Sequence, residues 1–220
     1  MPGTHGRLAT ILFAGTAVQS TKKDAPLTSC RLEKLRLVYH RSLELKPTAP
    51  ALTNMGDVYY HIGNFEQAYL FHQRAVDAVP ENYLYWSNLG NSRRQLYEHD
   101  EGTDQIYSRA IDLARKSLVV NPRNATAWLV IALANAYMKQ NDEAVLALRR
   151  SLELAPENLD MKYQSALVWN ALGDTSRALD VLEEALVDGF SLAIIESNPE
   201  LKTLIEQPRF QMIVEAVQEI

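Results

Sequence analysis

Near the middle of the chain, apolar residues recur at helical spacing twice in succession, separated by a short polar break. Leu52, Met55, Tyr59 and Ile62 fall three or four positions apart and make one face. Gly63-Asn64 interrupts the pattern, because glycine frees the backbone to leave a helix and asparagine favours turns. Phe65, Ala68, Phe71, Ala75 and Val76 then make a second face. The pattern predicts two helices packed against each other across a tight turn. Small residues at Gly56, Ala68 and Ala75 suit a close approach of the two backbones. A leucine at such a place would overpack the pair at a cost of roughly 1–3 kcal/mol.

The unit repeats, and its punctuation shows where. Four heptapeptides share a basic residue, a small residue, an apolar residue and a final proline: Arg41 to Pro47, Arg74 to Pro80, Lys116 to Pro122 and Arg150 to Pro156. Each reads as a helix C-terminus, with a cation set against the macrodipole and a proline that cannot continue the helix. A small residue precedes each proline at one of two distances. Gly56 and Ala132 lie 24 residues before Pro80 and Pro156, whereas Gly15 and Gly90 lie 32 before Pro47 and Pro122. Long and short units therefore alternate, and a fifth, short unit follows, with Ala166, Ala178 and Ala185 at matching places.

These residues resemble the tetratricopeptide repeat, a 34-residue helix–turn–helix unit with the pattern W-x-x-L-G-x-x-Y, then spaced alanines, an aromatic and a proline. Residues 49–82 carry Leu52 in the Trp place, then Met55, Gly56, Tyr59, Gly63, Phe65, Ala68, His72, Ala75 and Pro80. Residues 83–124 carry Trp86, Leu89, Gly90, Ala110, Ala114, Ser117 and Pro122, and residues 125–158 carry Trp128, Ile131, Ala132, Ala144, Leu148, Ser151 and Pro156. Residues 159–190 carry Ala166, Trp169, Gly173, Ala178, Leu182 and Ala185. Arg93 and Asn135 depart from the pattern by replacing the first-helix tyrosine. The unit at about residues 8–48 keeps only Gly15, Leu35, Tyr39, Ser42 and Pro47. The resemblance implies an all-α fold, a right-handed superhelix of tandem helix pairs. Residues 1–7 are expected to be a disordered start, 8–190 the repeat array and 191–220 a helical cap. Trp86, Trp128 and Trp169 are expected to be packing anchors that bury large apolar area.

A solenoid exposes an apolar face at its last repeat and needs a cap, which Ile194, Ile195, Leu201, Leu204, Ile205, Phe210 and Ile213 can supply. In the same tail, Asn198-Pro199, Leu201, Leu204 and Gln207-Pro208-Arg209-Phe210 are similar to the ending of tetratricopeptide regions in bacterial multidomain signalling proteins. In those proteins a kinase, a cyclase or a winged-helix domain precedes the repeats. That similarity, and a first unit that is degraded yet keeps the long spacing, lead us to expect a piece of something longer or a start inside a longer reading frame.

Composition narrows the function. A net charge of −5 and a pI of about 5.6 give no general attraction to a phosphate backbone, so nucleic acid is not the expected partner. The single cysteine, Cys30, permits no internal disulfide. No apolar run approaches the ~18 residues of a spanning helix, and membrane insertion is not expected. Leu8 to Val18 is read as a helix of the first unit, which makes the chain cytoplasmic; as a cleaved signal it would make the chain a periplasmic assembly factor.

A search for chemistry finds neither a phosphate loop nor a nucleophile elbow. His5, His40, His61, His72 and His99 fall in no metal-binding spacing. Glu98-His99-Asp100-Glu101 clusters polar groups in the extension of a long unit and reads as a solvated loop. No catalysis, cofactor or metal is expected. The work expected is protein binding. In a stack of helix pairs the first helix of each pair lines the concave side. The register places Asp57, Tyr60, His61, Asn91, Arg94, Tyr137 and Asn170 there, with Asn88 beside them. A peptide or protein partner is expected to lie across these eight residues. Other members of the family grip a peptide carboxylate with lysines and asparagines at such positions, but the lysines are missing here.

Overall fold

The computed structural model describes residues 48–97 and 100–218. The expected disordered start, nearly all of the first unit, Leu8 to Val18 and Cys30 lie outside them. Four helix pairs follow one another. They are α1 (Ala49–His61) with α2 (Phe65–Ala78), α3 (Tyr83–Leu96) with α4 (Glu101–Val120), α5 (Ala125–Tyr137) with α6 (Asn141–Leu154), and α7 (Leu159–Ala171) with α8 (Thr175–Val187). The C-terminal residues form α9 (Leu192–Ser197), a 3-10 turn (Pro199–Leu201), α10 (Lys202–Ile205) and α11 (Pro208–Gln218). From α1 to α8, each helix packs on its neighbours in the chain. The first helices also pack in series, α1 on α3, α3 on α5 and α5 on α7, so they form one continuous layer. α11 packs against α8 and closes the stack.

Local chemistry sets the boundaries. α2, α4 and α6 end one residue before their C-caps Val79, Asn121 and Ala155, and Pro80, Pro122 and Pro156 come next. Proline disfavours helical backbone in the residue before it. Two residues further on, Asn82, Asn124 and Asn158 each accept a bond from the first turn of the next helix, an N-cap worth about 1 kcal/mol. The repeated punctuation thus marks both an end and a start. The tight turns within the pairs close with Gly63, Lys139 and Gly173 in the left-handed region. After α1, Gly63 N–H donates to Tyr60 O at 3.0 Å and Asn64 N–H to Tyr59 O at 2.9 Å, which closes the helix with a Schellman motif.

Three expectations change in detail. The basic residues of the heptapeptides stand a full turn before the helix ends, too early to act strongly on the dipole, which fades within the last turn. Arg74 instead lies over the Phe71 ring at 5.2 Å and Arg150 pairs with Glu153 at 2.9 Å. The tryptophans are half-buried, with the indole N–H of Trp86 and Trp128 donating to Pro80 O at 2.8 Å and Pro122 O at 3.2 Å. They brace the turn that precedes their own helix. The extra residues of the long unit lengthen its second helix: α4 has 20 residues where α2 and α6 have 14. Asp100, expected in a solvated loop, caps α4 and pairs with Arg93 at 2.6 Å. The Arg93 guanidinium, with Thr103, holds the Asp100 carboxyl at about 2.

The buried apolar residues form two clusters, one across α1–α3 and one from α4 to α11, with Leu84 and Trp86 packed against both. Close approach governs each pair. A Cβ on Gly56 would collide with the His72 ring, and one on Gly90 would lie 2.6 Å from the Tyr107 ring. Tyr107 cannot retreat easily, because Tyr137 stacks on it at 5.6 Å between centroids. Gly90→Ala should therefore destabilise the fold by about 1–2 kcal/mol, even though alanine is the better helix former by about 1 kcal/mol. A lower midpoint in urea denaturation will show it; a higher midpoint would mean that helix propensity, and not packing, decides this position.

Candidate functional site

The layer of first helices faces a short stretch of the chain itself. Ser197, Asn198, Pro199, Glu200 and Leu201 cross it, and every first helix contributes a contact. From α1, Tyr60 Oη donates to Glu200 Oε1, and His61 Nδ1 lies 3.2 Å from both Ser197 O and Ser197 Oγ. From α3, Arg94 Nη2 and Gln95 Nε2 donate to the same Oε1, the latter at 3.0 Å. From α5, the Tyr137 ring lies under the Arg94 guanidinium, 3.9 Å from its centroid. From α7, Asn170 Nδ2 donates to Glu200 O at 2.8 Å, and Tyr163 Oη accepts from Asn198 Nδ2.

This small site is strongly electrostatic. The side chains of Arg94 and Glu200 are only 22 % and 10 % exposed, so their charges meet in poor contact with water. Burial opposes the charge on Arg94, but Tyr137 and Glu200 beside it outweigh that and raise its pKa further. Burial, followed by the charge of Glu200, pushes the Tyr60 phenol well up, so it remains a neutral donor to the carboxylate. Tyr137 is raised for the same reasons. His61 moves the other way: burial lowers it, against Asp57 and Ser197, which act to raise it.

Five of the eight expected groove residues, Tyr60, His61, Arg94, Tyr137 and Asn170, thus surround one segment. The other three lie elsewhere on the same layer. Asn91 Oδ1 accepts from Tyr107 Oη at 2.9 Å, and Asn88 Nδ2 donates to Asp57 Oδ1 at 3.3 Å. That carboxylate is also 3.2 Å from His72 Nε2, and His72 Nδ1 is 2.7 Å from Ser92 Oγ. Asp57, His72 and Ser92 therefore stand in the order of a hydrolase relay, which sequence spacing did not reveal. Ser92 is 0 % exposed and His72 1 %. A nucleophile sealed in this way offers a substrate carbonyl no approach, and the three residues instead satisfy one another in the polar seam between α1, α2 and α3. Among the described residues no group of three His, Cys, Asp or Glu could hold a metal ion, and no helix is long and apolar enough to cross a membrane.

Residues 51–82 and 131–191 match models of the tetratricopeptide repeat. This chain is a tetratricopeptide-repeat protein. The long unit, with its 20-residue second helix, lies outside both matches. Among curated proteins, the chain is 29 % identical over 103 residues to sperm-associated antigen 1 of Mus musculus, covering 47 % of this chain and 10 % of that protein. It is 23 % identical over 172 residues to anaphase-promoting complex subunit 3 of Schizosaccharomyces pombe, covering 77 % and 23 %. The tetratricopeptide array therefore spans less than a quarter of the length of these two relatives. Among solved structures, a thermophilic TPR protein of Thermus thermophilus shares the fold, with a TM-score of 0.56, 20 % identity, and coverage of 79 % of this chain and 92 % of that one.

The groove residues missed in the sequence are Glu200, Ser197 and Asn198, because nothing local marks them as facing α1 and α3. Two outcomes follow from the geometry. Arg94→Ala leaves a mostly buried carboxylate without its cation and should cost about 1–3 kcal/mol in urea denaturation, the value for a fully buried pair reduced for partial exposure. Glu200→Gln keeps acceptor capacity and should cost less. The imidazole of His61 is held below its ordinary 6.5, so its neutral form favours the fold. Its contribution is complete above that pH and is lost as the pH falls through the lower folded value. Wild type should accordingly lose more thermal stability than His61→Gln between about pH 7.5 and about pH 5.5; equal losses would place the pH sensitivity elsewhere.

Proposed function

We propose that this chain is a protein-interaction module that binds a peptide segment of a protein partner across the layer formed by α1, α3, α5 and α7, without catalysis of its own. The observation that carries this reading is the convergence of α1, α3 and α7 on residues 197–201 of the chain, with Tyr137 of α5 against the Arg94 guanidinium that meets Glu200. A surface that already holds a turn of polypeptide by side-chain and backbone contacts has the donors, aromatic floor and width to hold another. Asp57, Tyr60, His61, Asn88, Asn91, Arg94, Tyr137 and Asn170 are the residues assigned to it.

Peptides selected from a displayed random library on the full chain provide the test, with affinity measured by fluorescence anisotropy. Arg94→Ala combined with Asn170→Ala should weaken the selected peptides by at least about tenfold, or about 1.4 kcal/mol. Leu146→Ser, at a 67 % exposed position of α6, should leave them unchanged. The opposite pattern would move the binding surface to the second helices.

A further inference from the structure

Glu200 occupies the groove as a partner's side chain would, yet it uses only part of its cation. Tyr60 Oη, Arg94 Nη2 and Gln95 Nε2 all donate to one oxygen, Oε1. Arg94 Nε is also buried and has no hydrogen-bond partner among the described residues. A guanidinium pairs best with a carboxylate side-on, through two parallel N–H···O bonds, and Glu200 supplies one. The backbone of Glu200 explains the mismatch. Its N–H is held by Asn198 Oδ1 at 2.9 Å and its carbonyl by Asn170 Nδ2 at 2.8 Å, so the side chain reaches Arg94 from one fixed direction.

Next to this ion pair lies a cavity of about 490 Å³ lined by Arg94, Tyr137, Lys139, Asn170, Ala171, Pro199 and Glu200. Lys139, in the left-handed turn that ends α5 with φ 61°, brings a second cation to its wall. With Glu200 turned away, two cations and an amide would face the space, and no carboxylate would remain in its lining. The rest of the tail need not move for that to happen. Ile195, Leu201 and Leu204, each 0 % exposed, anchor the segment on either side of the turn.

We propose that this cavity is a subsite for an acidic side chain of the partner segment, and that Glu200 is a built-in occupant which the partner's carboxylate displaces. The inference rests on the groove-binding reading above and adds the partner's charge and an exchange step. A tethered side chain competes at an effective concentration in the millimolar range. An incoming carboxylate therefore wins only by using more of the site, side-on to Arg94 Nε and Nη2 with a second acid toward Lys139.

The test uses the full chain and a fluorescein-labelled octapeptide of alternating Glu and Gly, with the Gln-for-Glu octapeptide as control. Glu200→Ala and Glu200→Gln should each bind the acidic peptide at least tenfold more tightly than wild type. The control peptide should show no gain. Adding Lys139→Ala to Glu200→Gln should remove most of the gain. Thermal melting followed by circular dichroism establishes that each variant is folded, and the two Glu200 variants guard against one failing to fold. No gain in a folded Glu200 variant, or an equal gain for the control peptide, overturns the proposal. If library-selected peptides still depend on Arg94 but ignore Glu200, the groove reading stands and this inference falls.

Discussion

A helix pair of this kind has two apolar faces and covers only one of them itself, and most of the structure follows from that constraint. Stacking the next pair covers the second face, so α1 to α8 form a row in which each helix touches its neighbours in the chain. The last pair has no successor. The chain answers with Ile195, Leu201, Leu204, Phe210 and Ile213, all buried, which carry the core past α8. Reaching that cover takes the chain from the end of α8 across the layer of first helices. A segment needed for capping thereby passes through the surface on which tetratricopeptide arrays present their side chains.

The polar groups of that surface divide into two sets with different physics. Asp57, Asn88, His72 and Ser92 are turned toward one another in the seam between α1, α2 and α3, where burial makes an unmatched donor or acceptor costly. They stabilise the seam. Tyr60, Arg94, Gln95 and Asn170 are turned the other way and meet a carboxylate and a carbonyl of the tail. The same residue types, a few positions apart on the same helices, thus hold the stack together in one case and hold a turn of chain in the other. The difference lies in which face of the first helix each occupies. Asp57, Asn88 and Ser92 look back toward α2, while Tyr60, Arg94 and Gln95 look outward.

Much of this was legible in the chain's pattern. Apolar spacing marked the two helices of a pair, and proline marked the boundary between pairs, since both act on backbone within a few residues; the asparagine caps two residues after each proline emerged only in the structure. Register alone put Tyr60, Arg94, Tyr137 and Asn170 on one layer, because residues at matching places in stacked repeats must align. The tryptophans do pack against the core, but half-buried, because an indole beside a turn can keep its N–H on a preceding carbonyl, as Trp86 and Trp128 do.

The sequence by itself determined the helices, their turns, their order and the layer on which the candidate groove residues stand, because each depends on contacts between near neighbours in the chain or on strict repetition. Only the tertiary structure decided what that layer faces. Glu200 meets Arg94 and Tyr60 across separations of 106 and 140 residues, and Asn198-Pro199 locally signals nothing more than the start of a turn. A charge pair of that range depends on the summed curvature of four helix pairs and on where the cap lands, and no local pattern encodes either.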